Sequence, residues 1–316
     1  TTQTVEIKND ILDAASWIAP YIHRTPILTS QQLNIVSGAQ LYFKCENFQK
    51  MGAFKMRGAT NAVLQLSNEQ KQKGVVTHSS GNFAQALALA AKNLNIKATI
   101  VMPSDAPEVK KDAVRGYGGI INECEPNVKS REGAAKKIQD ATGATFIHPF
   151  NDFNVILGNA TAAKELLENQ PDLDIIVAPV GGGGLISGSI LSALSFSNSC
   201  TVIGAEPFEV DDAYRSLQSG RIEQNTTTNT IADGLKTNLG DITFAIIQNY
   251  ISEIIRVTED EIVEAMKLIW ERMKIIVEPS CATTLSANLK NKTQFKNMKV
   301  GLILTGGNVD LKKLPF

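Results

Sequence analysis

Short β-branched runs alternating with Ala- and Leu-rich helical stretches leave this chain few folds to adopt. Residues 74–77 form an apolar run that enters the turn His78-Ser79-Ser80-Gly81-Asn82, and a helical pattern follows over 83–94. A second strand at 98–102 ends at Pro103, ahead of a Lys-rich helix reaching about Tyr117. Strands at 120–121 and 145–147 flank a helix over 131–141, and a strand at 175–178 precedes a glycine turn and a helix over 185–195. Strands at 201–205 and 300–304 complete the set. This alternation predicts βαβ units, so parallel sheets covered on both faces by helices. In such folds ligands bind beyond the carboxyl ends of the strands. Three strand ends here are Gly- or Ser-rich: Ser79-Ser80-Gly81-Asn82, Gly181 to Gly184, and Thr305-Gly306-Gly307-Asn308.

Composition narrows the function. With 31 Lys+Arg against 32 Asp+Glu, the net charge of -1 offers no overall attraction to nucleic acid or an anionic membrane. No apolar stretch approaches the roughly 18 residues of a membrane span, and the polar start of the chain lacks a signal-peptide core. Cys45, Cys124, Cys200 and Cys281 are far apart with no C-x-x-C pair. That spacing argues against a zinc site or a disulfide framework and fits a reducing, cytoplasmic compartment. The three histidines are equally scattered, so a histidine-centred mechanism is not expected.

Gly181-Gly182-Gly183-Gly184 stands between an apolar strand and a helix opening with Leu185 and Ile186. Glycine costs backbone entropy, and four in a row need a reason beyond a flexible turn. Without Cβ atoms, backbone N–H groups at a helix start can close around a phosphate. The dinucleotide fingerprint fails, because its third glycine would fall on Ile186 or Ser187, and no P-loop lysine follows. A smaller phosphorylated cofactor remains.

Lys55 lies in Gly52-Ala53-Phe54-Lys55-Met56-Arg57-Gly58, at the start of a helix expected over about 57–66. A lysine at such a place is most often a solvated charge. Its apolar neighbours Phe54 and Met56 point instead to a desolvated amine able to condense with an aldehyde. An aldehyde-reactive lysine beside a cradle for one phosphate suggests pyridoxal phosphate.

These four motifs, in this order and spacing, resemble the fold-type II pyridoxal-phosphate enzymes, and most of all the serine racemase and threonine dehydratase branch. The resemblance runs from His23-Arg24-Thr25-Pro26 to the C-terminus. It implies an α/β fold of two lobes like the tryptophan synthase β chain, each with a mainly parallel sheet. A large cofactor-binding lobe would comprise residues 1–73 and 149–316, with a small mobile lobe, 74–148, inserted in it. The implied activity is interconversion of L- and D-serine with accompanying β-elimination to pyruvate and ammonia. The alternatives are dehydration of threonine, serine or 3-hydroxyaspartate with little racemisation, or a non-catalytic pyridoxal-phosphate-binding module. A homodimer is also implied.

By the same resemblance, Lys55 carries the cofactor as a Schiff base and then serves as the base on one face of the substrate Cα. Gly181, Gly182, Gly183 and Gly184 bind the phosphate, Asn82 the ring's phenolic oxygen, and Phe54 and the backbone near Gly234 flank the ring. Thr305 faces the pyridine nitrogen, where a neutral hydroxyl favours elimination or reprotonation over transamination. Ser79, Ser80, Asn82 and Phe83 meet the substrate. Ser80 is the proton donor on the face opposite Lys55, although serine is also a common helix N-cap. Glu206, Asp212 and the main-chain oxygen of Val210 form a divalent-cation site for Mg2+, or for Ca2+ or Mn2+. On residue type alone, Asp211 and Asp212 read as helix-capping acids. Lys50, Gln85, Tyr117, Lys274 and Asn308 match the site at which ATP activates some serine racemases, but Met51 and Gln31 replace small polar residues there.

The chain departs from the family at Phe83, where the usual residue is histidine, and in Ile156-Leu157-Gly158-Asn159-Ala160-Thr161, where Ile-Ala-Gly-Gln-Gly-Thr is usual. Arg131 is one cation able to meet a second substrate carboxylate, and equally a helix surface charge. The stop at Phe316 sets the expectation that the regulatory domain of biosynthetic threonine dehydratases is not appended.

Overall fold

The structure is a computed structural model that describes residues 2–316; Thr1, counted in the expected large lobe, lies outside the described residues. Its strands are β1 (Ile27–Leu28), β2 (Gln40–Cys45), β3 (Val75–His78), β4 (Ala98–Pro103), β5 (Ile120–Cys124), β6 (Thr145–Phe146), β7 (Ile175–Pro179), β8 (Thr201–Pro207), β9 (Glu253–Val257) and β10 (Lys299–Leu304). They form two sheets, one of order β1-β2-β10-β7-β8-β9 and one of order β5-β4-β3-β6. Every pairing is parallel except β1 with β2.

The α/β expectation holds. β7 is buried at every position and β10 at all but its first, as parallel strands covered on both faces must be. The helices Gly184–Phe196, Phe153–Asn169 and Pro279–Lys290 are buried nearly all round, and they cover the larger sheet. The sequence pattern did not single out β2, β9 or the helices Phe153–Asn169 and Pro279–Lys290. A helix buried on every side loses the polar stripe by which an amphipathic helix is recognised.

The helix Lys55–Leu64 starts two residues earlier than its pattern suggested, so Lys55 is its first residue. That first turn is anchored by charge. Arg57 is fully buried, and its guanidinium donates to Glu46 at 2.5 and 3.0 Å and to Glu165 at 2.6 and 2.9 Å. Lys44 Nζ donates to Glu165 at 2.9 Å and to the Thr25 carbonyl at 2.7 Å. Two cations and two anions balance, the condition under which charges are tolerated in a protein interior. The network ties the lysine's turn to β2 and to the helix Phe153–Asn169.

Candidate active site

β10 and β7 are parallel neighbours in register from Val300 opposite Ile175, and β8 lies beside β7. Their carboxyl ends therefore share one edge of the sheet. They carry Thr305, the glycine turn and Glu206 in that order. The lysine's loop is laced to the end of β10. Phe54 N–H donates to the Thr305 carbonyl at 3.0 Å, Gly307 N–H donates to the Gly52 carbonyl at 2.9 Å, and Ala53 bridges to Gly306. Lys55 is half-buried, and its Nζ donates to the Pro149 carbonyl at 3.2 Å. It stands 5.3 Å from the Phe54 ring centroid and 5.7 Å from that of Phe83. Loss of water around it pulls the amine down to a pKa of about 8.

The glycine turn has its own steric logic. Gly183 adopts φ +93°, a left-handed conformation that glycine takes without penalty, and it caps the helix Gly184–Phe196. Gly182 lies under the Phe150 ring, where a Cβ would meet Phe150 Cγ at 2.2 Å. A Cβ on Gly181 would come within 2.8 Å of the Gly234 carbonyl, so those two predicted residues are neighbours. Thr243 Oγ1 donates to the Gly182 carbonyl at 2.8 Å. The buried Asn159 amide, beside Gly184, has no hydrogen-bond partner among the described residues. A bare main-chain turn at a helix N-terminus, an orphaned amide and a desolvated lysine are what a phosphorylated aldehyde requires.

From the small sheet, the turn after β3 supplies the rest. Asn82 opens the helix Asn82–Asn93, and its Nδ2 donates to both Glu278 carboxylate oxygens at 3.1 and 3.3 Å. Gly81 is that helix's N-cap, so the capping alternative for Ser80 does not apply. Ser79 Oγ accepts from Gly81 N–H at 3.2 Å, whereas the half-exposed Ser80 hydroxyl has no partner among the described residues. Phe83 is 2% exposed. Thr305 is buried at the end of β10.

Two features escaped the sequence reading. Glu278 is buried, and desolvation pushes its carboxyl up to about 7 while it accepts from Asn82 and from the Asn308 N–H at 3.1 Å. Its one local signal was the following Pro279, which starts a helix. The segment His148-Pro149-Phe150 joins the lysine to the glycine turn. The His148 and Phe150 rings meet edge-on with centroids 4.5 Å apart. His148 Nδ1 accepts from the N–H groups of Phe150 and Asn151, which assigns the ring proton to Nε2. Burial, then His78 and Lys55, lower this imidazole to about 4.

At the end of β8, Glu206 accepts from the N–H groups of Ala213 and Tyr214 at 3.0 and 2.9 Å, so it is Glu206 that meets the start of the helix Asp212–Ser219. Asp211 caps nothing and is held by Arg215 and Arg256 at 2.8 and 3.1 Å. Asp212 Oδ1 accepts from Asn225 at 3.0 Å, and its buried Oδ2 has no partner among the described residues. Desolvation raises both carboxyls, Asp212 to about 6 and Glu206 well above its ordinary range, with Asp212 adding to the effect on Glu206. Val210 is buried beside them in chain order. No group of three or more His, Cys, Asp or Glu among the described residues is arranged for a metal, so a cation here would rest on two carboxylates and main chain.

The five residues matched to a nucleotide site lie on separate elements of the fold. Asn308 Nδ2 donates to the Met51 carbonyl at 3.0 Å and to Asn82 Oδ1 at 2.9 Å, joining it to the turn of Lys50 and to the cofactor side. Gln85 is half-buried one turn into the helix Asn82–Asn93, Tyr117 packs on the small-sheet core, and Lys274 is exposed after the helix Glu259–Met273. No hydrogen bond or ion pair among the described residues joins Tyr117 or Lys274 to Asn308.

A profile described as pyridoxal-phosphate dependent enzyme matches residues 18–306. The chain is 52% identical over 307 residues to a β-hydroxyaspartate dehydratase of Paracoccus denitrificans, covering 97% of this chain and 98% of that protein. It is 50% identical to a serine racemase of Dictyostelium discoideum, covering 98% and 97% respectively. The crystal structure of the Dictyostelium racemase superposes with a TM-score of 0.93 over 96% of this chain and 99% of that one. With Lys55, the glycine turn and Thr305 gathered on one sheet edge, the chain belongs to the pyridoxal-phosphate-dependent enzymes of fold type II, in the branch of serine racemases and hydroxyamino-acid dehydratases.

Proposed function

We propose that this enzyme interconverts L- and D-serine and also dehydrates serine to pyruvate and ammonia. The observation that carries the reading is the Ser80 hydroxyl, which caps no helix and has no partner among the described residues. Pyridoxal phosphate, once bound, draws electrons from the substrate and makes its Cα–H acidic. The chain's own groups then decide the outcome. Gly181 to Gly184 grip the phosphate, and Phe54, Asn82, Gly234 and Thr305 hold the ring. Ser79, Ser80, Phe83 and the N–H groups opening the helix Asn82–Asn93 hold the substrate carboxylate, where the helix dipole favours an anion. The Lys55 amine, with its lowered pKa, takes the proton from one face of Cα. Ser80 returns one to the other face, and the product is D-serine. When the β-hydroxyl leaves first, the net products are pyruvate and ammonia. Retention of Lys55, Ser80 and Thr305 together argues against a binding module without turnover.

Substitution Ser80→Ala is expected to cut D-serine formation by roughly 100-fold or more while pyruvate formation falls far less and the cofactor stays bound. Assay of both products from L-serine decides this, and unchanged D-serine in the variant would contradict the role.

A second reading, dehydration of 3-hydroxyaspartate, is favoured by Arg131. Its half-buried guanidinium has no ion-pair partner among the described residues, and after burial its charge is the next cause that lowers the pKa of His78 at the end of β3. The Paracoccus relative supports it. A product profile over L- and D-serine, threonine and 3-hydroxyaspartate separates the readings.

Residues 74–148 would act as a small mobile lobe closing on the rest. The Lys110–Asp233 ion pair, 2.6 Å long, and the Asn82–Glu278 bond both link this segment to the remainder. Glu206, Asp212 and the Val210 carbonyl would hold Mg2+, or Ca2+ or Mn2+, a role that suits the orphaned Asp212 oxygen. Chelation is then expected to lower the melting temperature by several degrees, with Mg2+ restoring it, since a bound cation adds about 2.7 kcal/mol at one hundred times its Kd. A melting curve indifferent to chelator and to added Mg2+ would remove the metal. An ATP titration of serine turnover at saturating metal tests Lys50, Gln85, Tyr117, Lys274 and Asn308 as an activator site, and no effect would dispose of it. A homodimer in the cytoplasm completes the reading. The four free cysteines suit a reducing compartment, and no helix among the described residues is long and apolar enough to cross a membrane.

A further inference from the structure

Among the described residues, no carboxylate pairs with the Lys55 ammonium. Its hydrogen-bond acceptor is the Pro149 carbonyl at 3.2 Å, and two aromatic rings stand near it, Phe54 at 5.3 Å and Phe83 at 5.7 Å. The charged groups around it are engaged elsewhere. Arg57, two residues on in the same helix, is bound to Glu46 and Glu165. Glu278, beside Gly306, accepts from Asn82 and Asn308. From the loop before the helix Phe153–Asn169 comes His148, a neutral imidazole whose Nδ1 is taken up by two backbone N–H groups. The helix Asn82–Asn93 brings no charge in its first turns; it brings the Phe83 ring, 2% exposed.

An aromatic face within about 6 Å stabilises a cation, and more so where water is excluded. A histidine at position 83 would put a smaller, polar and titratable ring there, and a second cation when protonated.

We propose, building on the pyridoxal-phosphate reading of the site, that Phe83 is a positioning residue for Lys55, its ring holding the freed amine as an ammonium directed at the Pro149 carbonyl. The ring opposes the desolvation that lowers the amine's pKa. It therefore favours the form of Lys55 that returns a proton to Cα. A chain with this residue keeps a charged lysine poised without the carboxylate that would bind it too tightly to react.

The sign follows directly. Removing the ring withdraws support from the cation, so the lysine loses its proton at lower pH. The test is a titration of Lys55 in protein freed of cofactor, by trace labelling with a small amine reagent between about pH 6 and 10 and quantification of the Lys55 peptide by mass spectrometry. Phe83→Leu is expected to lower the labelling midpoint by roughly half a unit, and Phe83→Tyr, which keeps the ring, to leave it within about 0.2 unit. Phe83→Met, of similar volume without a ring, must behave as Phe83→Leu does and guards against a leucine variant that fails to fold. In the loaded enzyme, where substrate frees the amine, the acid limb of kcat should move in the same direction. A midpoint unmoved by loss of the ring, or moved equally by Phe83→Tyr, overturns the proposal. A protein that binds no pyridoxal phosphate would instead end the reading of the site, while the labelling midpoints would still decide what Phe83 does to Lys55.

Discussion

Lys55→Ala is expected to reduce turnover of every substrate by roughly 10⁴-fold or more and to abolish the borohydride-sensitive yellow band. Both effects come from one atom. Nζ is held near the Thr305 and glycine-turn edge, and the loop carrying it is fixed at both ends of its turn. Phe54 is bonded to the Thr305 carbonyl, and Arg57 is locked between Glu46 and Glu165. No neighbouring lysine can be expected to slide into its place. Lys55→Arg should fail equally, because a guanidinium neither condenses with an aldehyde nor gives up its proton. The spectrum and steady-state rates of the purified variant are the measurements. Activity within about tenfold of the parent would remove Lys55 from the mechanism.

Gly182→Ala should be the most damaging change outside the lysine, although it adds only a methyl group. The new Cβ would stand 2.2 Å from Phe150 Cγ, and the ring cannot easily retreat because His148 packs against it with centroids 4.5 Å apart. Either the glycine turn or the 148–150 segment must shift. A shift of the turn would spoil the proposed phosphate cradle, and a shift of the segment would move the carbonyl that holds Lys55. Overpacking of this kind costs about 1–3 kcal/mol, or roughly 2–10 °C of melting temperature for a chain of this size. Affinity for pyridoxal phosphate should fall by roughly 100-fold as well. The double variant Gly182→Ala/Phe150→Ala relieves the collision and should recover more stability than the two single effects predict together. A single variant with parental melting and cofactor affinity would show that the ring does not rest on the turn.

The split between what could be read in the chain and what could not follows the range of the forces involved. The alternation of strands and helices, the four glycines, and Lys55 among apolar neighbours are local patterns, and the structure places each in the element expected of it. Ser80 was open to two readings, and the position of Gly81 as the N-cap removed one. Asp211 and Asp212 were open to a capping reading that the structure gives to Glu206 instead.

The sequence by itself determined the fold class and singled out Lys55 and the four glycines as the proposed reactive amine and phosphate turn, because periodicity, backbone sterics and residue chemistry act over a few neighbouring positions. Only the tertiary structure revealed Glu278, the His148-Pro149-Phe150 segment, the buried Arg57 network and the ring beside Lys55. Asn82 and Glu278 lie 196 residues apart, and Lys55 and Pro149 lie 94 apart. Desolvation and contact at such separations arise only when the strands have brought distant turns to one edge, and no local pattern encodes which turns will meet.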